Sequence, residues 1–174
     1  MPPTRAEHSK TVEKRFEDAL ADAEKRLSSL AIVRGRKVNL KGLRGWIFEQ
    51  TVRTCLEEEL EKCGISTSVR EQVPIGGRAS VDLLISTAAV EVKAAGFFDD
   101  VGERYRGYRD LIEAKGWQYF YLTLGETYEP YAKIARSTFG KNRAFFLDQK
   151  GDWDRFLSEV MGIVKAKSKS LAKS

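Results

Sequence analysis

Three acids and one lysine are the residues of this chain whose types and spacing best suit chemistry. Asp82 stands in Ser80-Val81-Asp82-Leu83-Leu84-Ile85, and Glu91 and Lys93 stand in Ala89-Val90-Glu91-Val92-Lys93. Both segments have the size and composition of short strands, separated by Ser86-Thr87 as a tight turn. Strand side chains alternate sides, so Glu91 and Lys93 share one face while Val90 and Val92 take the other. A two-residue turn sets Asp82 directly across from Glu91, with Cβ atoms about 4.5–5.5 Å apart. A register one residue off, which the unusual Ser-Thr turn allows, makes them diagonal neighbours within reach of the same ion. Like charges so placed destabilise a sheet unless a cation lies between them. Two carboxylates, with water and a main-chain carbonyl, are the oxygen donors that Mg²⁺ accepts.

A further acid comes from a helical stretch at 43–62, where Val52, Leu56, Leu60 and Cys63 form an apolar stripe. Glu49 continues that stripe, whereas Glu57, Glu58 and Glu61 lie off it. A carboxylate on a buried face is costly unless it is paired or metal-bound. Each residue also has a plainer reading: Glu91 and Lys93 as a solvated ion pair, Asp82 as a strand-end residue, Glu49 bonded to Arg44 or Arg53. Glu113-Ala114-Lys115 shows how readily a Glu-x-Lys triplet arises. The conjunction, in this order along the chain, favours a site.

The elements that must position these residues follow from hydrophobic period. A helix is expected over 7–30, with Phe16, Leu20, Ala23, Leu27 and Leu30 on one stripe, then a connector or edge strand over 31–41. That stripe suits packing on the body of the protein or pairing with a second copy as a homodimer. After the 43–62 helix, closed by Gly64, the period changes to two. Extended segments are expected at 66–73, 78–85 and 88–95, broken at Pro74-Ile75-Gly76-Gly77 and at Ser86-Thr87. A helix at 101–115, a strand at 117–124 buried on both faces, a helix at 128–139, a short strand at 144–147 and a helix opening at Asp152 complete the chain. The fold class is α/β: a mixed central sheet that starts with an antiparallel three-strand meander, with helices on both faces and an N-terminal helix. The divisions are 1–42 as helical extension and connector, 43–164 as the α/β domain and 165–174 as a basic tail.

Composition narrows the chemistry. The single histidine, His8, argues against Ser-His-Asp or Cys-His nucleophiles, an H-E-x-x-H zinc site and a histidine-based nuclease. Neither a phosphate-binding P-loop nor a dinucleotide fingerprint is present. Two cysteines, Cys55 and Cys63, suit a reducing, cytoplasmic setting rather than a disulfide framework, and no membrane-length apolar run or secretory pattern is seen. Net charge is +5, yet Lys165, Lys167, Lys169 and Lys173 supply most of it, leaving the body near neutral.

An acid from a first helix, then Asp and Glu-x-Lys from a strand hairpin, resembles the PD-(D/E)XK nuclease superfamily, the restriction-endonuclease-like fold, over about residues 43–148. The matching positions are Glu49, Asp82, Glu91 and Lys93, with Val92 intervening; Val81 stands before Asp82, and the nearest proline is Pro74. The resemblance implies a metal-dependent endonuclease hydrolysing DNA phosphodiester bonds, with Mg²⁺ or Mn²⁺ at Asp82, Glu91 and the Val92 carbonyl. Glu49 would hold a second ion or a metal-bound water, and Lys93 would orient or deprotonate the attacking water or steady developing charge. Restriction, repair and junction cleavage are all compatible with it, and RNA is the lesser substrate candidate. For DNA contacts, Arg104, Tyr105, Arg106, Tyr108 and Arg109 mix cations with aromatic rings on one helix, a pattern that equally suits a solvated helix with Tyr105 and Tyr108 tucked against the sheet; Arg78 follows the glycine pair, and Lys133, Arg136, Lys141 and Arg143 offer a second flank. The rival is a non-catalytic nucleic-acid-binding or assembly module of the same fold.

Overall fold

The switch from a helical period to alternation and back is realised in the protein's computed structural model, which describes residues 5–34, 40–94, 99–125 and 129–171. Two helices come first, α1 (Arg5–Arg34) and α2 (Leu40–Lys62), followed by strands β1 (Val69–Gly76), β2 (Ala79–Ile85) and β3 (Ala88–Lys93). Then α3 (Asp99–Glu113), β4 (Gln118–Thr123), α4 (Glu129–Phe139), β5 (Ala144–Phe146) and α5 (Asp152–Leu171) alternate. The strands form one sheet in sequence order, β1 to β5. Short turns make β1–β2 and β2–β3 antiparallel, and the α3 and α4 crossovers make β3–β4 and β4–β5 parallel.

Helices cover both faces of the sheet. On one side Phe16 of α1, Phe48, Val52 and Leu56 of α2, and Phe156 and Val160 of α5 pack with Leu83, Ile85, Val90, Phe120 and Phe145. On the other, Tyr105 and Ile112 of α3 and Ala135 and Phe139 of α4 pack with Leu84, Ala89, Tyr119, Tyr121 and Phe146. The strands alternate between these cores with period two, as a sheet buried on both faces requires. A departure occurs at one step. Val69 of β1 joins the first core and Ile75 the second; Leu83 of β2 joins the first and Val81 the second. Both strands therefore change face between Glu71 and Val73 and between Leu83 and Val81, positions that remain paired in register. Gln72, at φ +45°, and Asp82 occupy this step.

Several boundaries differ from expectation, each for a local reason. Pro74, Ile75 and Gly76 continue β1 instead of breaking it, because Ile75 is buried in the second core and the reversal is made by Gly77-Arg78. Residues 31–34, expected in a connector, extend α1, while 35–39 lie outside the described residues. The basic tail expected at 165–174 begins as the end of α5, which runs to Leu171. Cys63 falls off the buried stripe of α2 and is exposed, whereas Cys55 is buried; both are free thiols. Gly64 does close α2, at φ +65°, with the Ile65 N–H reaching the Leu60 carbonyl at 2.9 Å, the outer bond of a Schellman cap. Part of the apolar stripe of α1 packs within the chain: Phe16 is buried with its ring 5.4 Å from that of Phe48, Leu20 and Ala23 are partly buried against the same core, and Arg15 beside them donates to Glu58 at 2.6 Å, while the side chain of Leu30 lies outside the described residues. Among the described residues no helix is long and apolar enough to cross a membrane.

Candidate active site

The hairpin joining β2 and β3 has the register that a two-residue turn dictates. Leu83 pairs with Val90, Leu84 with Ala89 and Ile85 with Ala88, and Ser86 takes φ +56° at the first turn position. Continued one step, that register would set Asp82 against Glu91, but the regular pairing ends at Leu83 and Val90. There the Asp82 side chain takes over: its Oδ2 accepts the Val92 backbone N–H at 2.8 Å. Asp82 thereby anchors itself to β3 between Glu91 and Lys93.

The ammonium of Lys93 completes the link. Its Nζ lies 3.1 Å from Asp82 Oδ2 and 2.5 Å from Glu91 Oε1. Glu91 is only 4% exposed, on the face covered by α3 and α4, and its Oε2 accepts from the Tyr119 hydroxyl at 3.1 Å. Glu49, half-buried on α2, joins from the opposite layer through Gln72. The Gln72 Nε2 donates to Glu49 Oε1 at 3.1 Å and to Asp82 Oδ1 at 3.3 Å. All four residues singled out by spacing therefore belong to one connected cluster at the end of β3, where the hairpin strands part.

Charge states follow from burial and neighbours. Burial and the nearby Asp82 charge push the Glu91 carboxyl up, although Lys93 and Tyr119 pull the other way. Burial alone would lower the Lys93 ammonium, but Glu91 and Asp82 outweigh it and hold the lysine above its ordinary value. Glu49 is raised by burial and by Asp82, and the Gln72 hydrogen bond opposes that shift. Burial, then Glu91, pushes the Tyr119 hydroxyl well above the usual phenol range. The cluster thus keeps its lysine charged against two carboxylates.

Asp82 and Glu91 have the oxygen chemistry of an ion that takes one or two protein carboxylates and completes its shell with water. They do not make an all-protein cage: among the described residues no three His, Cys, Asp or Glu side chains come together in a metal-holding group. A groove of about 350 Å³ between α1 and α2, lined by Ala19, Ala23, Trp46 and Ile47 among others, contains none of the four cluster residues.

The expected nucleic-acid contacts divide. Tyr105 is a core residue, 2% exposed, its ring 5.5 Å from Phe139 and 6.3 Å from Tyr121, so it has no face to offer a base. Arg109 turns inward and donates to the Thr138 carbonyl at 2.8 Å, and Tyr108 is partly buried against Tyr105. Arg78, Arg104 and Arg106 remain exposed. On the second flank, Lys133 and Lys141 are exposed, whereas Arg136 and Arg143 lie over the Phe146 and Phe120 rings. Neither plain alternative for Glu49 is realised: Arg53 bonds to Glu57 and Glu71, and Arg44 lies over the Phe16 ring.

Sequence reasoning passed over Gln72, Ser80 and Tyr119. The signal for Tyr119 was a hydroxyl inside an apolar run, in a strand parallel to the one bearing Glu91. For Gln72 it was a polar residue that the β1–β2 register sets opposite Asp82. No protein-family model, curated protein or solved structure matches this chain.

Proposed function

We propose that this chain is a divalent-metal-dependent endonuclease acting on DNA phosphodiester bonds at the Asp82–Glu91–Lys93 end of the sheet. The observation that carries this reading is the convergence of the Asp82 and Glu91 carboxylates on the Lys93 ammonium, within 3.1 Å and 2.5 Å, where β2 and β3 part. Bound Mg²⁺ or Mn²⁺ would polarise the scissile phosphate and lower the pKa of a coordinated water. Asp82, fixed by the Val92 N–H, and Glu91, fixed by Tyr119, would supply the oxygens that hold such an ion. With an ion bound to its carboxylate partners, Lys93 would orient the attacking water or stabilise charge developing on phosphate. Arg78, Arg104 and Arg106 are among the exposed cations available to the DNA backbone.

A non-catalytic nucleic-acid-binding module is the second reading, favoured by the Lys93 ammonium already pairing with both carboxylates. Purified protein incubated with plasmid, branched DNA and RNA, with Mg²⁺, Mn²⁺ or EDTA, separates the two. The nuclease reading expects chelator-sensitive cleavage that Lys93→Ala and Asp82→Asn abolish. Wild-type inactivity on every substrate with either metal, together with EDTA-insensitive DNA retention, selects the binding module.

A further inference from the structure

Gln72 has no part in the chemistry just described, yet its backbone and its side chain both depart from what a strand residue needs. It takes φ +45° within β1, a conformation unfavourable to any residue with a side chain unless the surroundings hold it. Among the described residues only Ser86 shares this feature without being glycine, and Ser86 lies in a turn that calls for it. Gln72 marks the step at which β1 and β2 change face, and its position in the ladder, between Glu71↔Leu83 and Val73↔Val81, is opposite Asp82.

The amide is oriented, not merely nearby. The Ser80 hydroxyl donates to Gln72 Oε1 at 3.2 Å, which turns the NH₂ group toward Glu49 Oε1 at 3.1 Å and Asp82 Oδ1 at 3.3 Å. Two N–H donors meet two carboxylates, and the flipped amide would set its oxygen against both of them. Glu49 and Asp82 come from different layers and repel one another. The amide is what lies hydrogen-bonded between them. Because Gln72 is exposed, these bonds contribute little to folding, so their consequence is positional.

We propose that Gln72 is a positioning residue that holds Glu49 of α2 against Asp82 of β2, so that the helix acid belongs to the ion-binding end of the site before any ion arrives. The proposal rests on the nuclease reading for its effect on cleavage, but not for its effect on ion binding.

The test uses the full chain with Gln72→Gly, which accepts the positive φ while removing the amide, and Gln72→Met, which keeps the length without a donor. Unfolding is followed in EDTA, Mn²⁺ binding by calorimetry without DNA, and cleavage as kcat and KM. Gln72→Gly is expected to melt at or above the wild-type temperature, since glycine relieves the strained backbone. Both variants should bind Mn²⁺ about tenfold more weakly and lose about 10–100-fold in kcat, with KM for DNA unchanged. Combined with Glu49→Gln, neither should lower kcat beyond Glu49→Gln alone. Wild-type Mn²⁺ affinity and kcat in Gln72→Gly, or losses that add fully to those of Glu49→Gln, would overturn the proposal while leaving the nuclease reading intact. A wild type that cuts nothing, but whose Mn²⁺ affinity falls in both variants, would reject the nuclease reading and keep Gln72 in this role.

Discussion

Lys93 is the counter-charge of two carboxylates, one of them almost wholly buried, and removing it exposes what the pair costs. Lys93→Met leaves Glu91 facing Asp82 with no cation between them. Breaking a buried pair costs about 3–5 kcal/mol; because Lys93 is itself partly exposed, a loss of about 2 kcal/mol is expected in EDTA. Saturating Mg²⁺ or Mn²⁺ should restore more stability to this variant than it adds to wild type, as read by thermal unfolding at a fixed pH. An equal metal-induced shift in both proteins would count against ion binding between these carboxylates. Tyr119→Phe removes the hydroxyl that donates to Glu91 Oε2, a hydrogen bond to a charged group worth about 1.5–3 kcal/mol. A similar loss in chemical denaturation, without loss of the sheet signal, is the expected outcome.

The contacts between α1 and α2 include an aromatic pair and an ion pair. Phe16 is 2% exposed against Phe48, so Phe16→Ala should destabilise the protein by about 3 kcal/mol in urea unfolding. Arg15 and Glu58 are each roughly two-fifths exposed, so their pair contributes only about 0.2–1 kcal/mol. Its pH dependence has a definite sign. The Arg15 hydrogen bond holds the Glu58 carboxyl below its ordinary value, so the contribution is present above the unfolded glutamate pKa and lost as pH falls through the folded value. The stability gap between wild type and Arg15→Met should therefore be constant near neutrality and close in acid. A gap that widens in acid would contradict this pairing.

At the scale of the whole molecule, the proposed nuclease reading assigns the DNA backbone contacts to exposed arginines. Arg104 lies on α3 and Arg78 in the β1–β2 turn, while Tyr105, one residue from Arg104, is sealed in the second core. Arg78→Glu and Arg104→Glu should each weaken DNA binding in EDTA and flatten its salt dependence, since each removes a phosphate contact. Tyr105→Phe should leave DNA binding unchanged; weakened binding in a variant that melts normally would return Tyr105 to the interface.

Alternation and turn length were enough to place Glu91 and Lys93 on one face and to set the β2–β3 register, because both depend only on neighbours along the chain. The α/β class, the three-strand meander and the helix acid at Glu49 were legible for the same reason: hydrophobic period survives in any tertiary context. Other features depended on what packs against what. Tyr105 reads equally as a stacking ring among arginines and as a residue tucked against the sheet until α4 brings Phe139 against it, and Pro74-Ile75 reads as a turn until the second core buries Ile75. Gln72 is marked only by the strand register that sets it opposite Asp82. Its role exists only because β1 changes face opposite Asp82 while α2 crosses the other layer. Side chains 23 and 10 residues away in sequence thus become partners of one amide, a relation fixed by the closing of the fold and by no pattern along the chain.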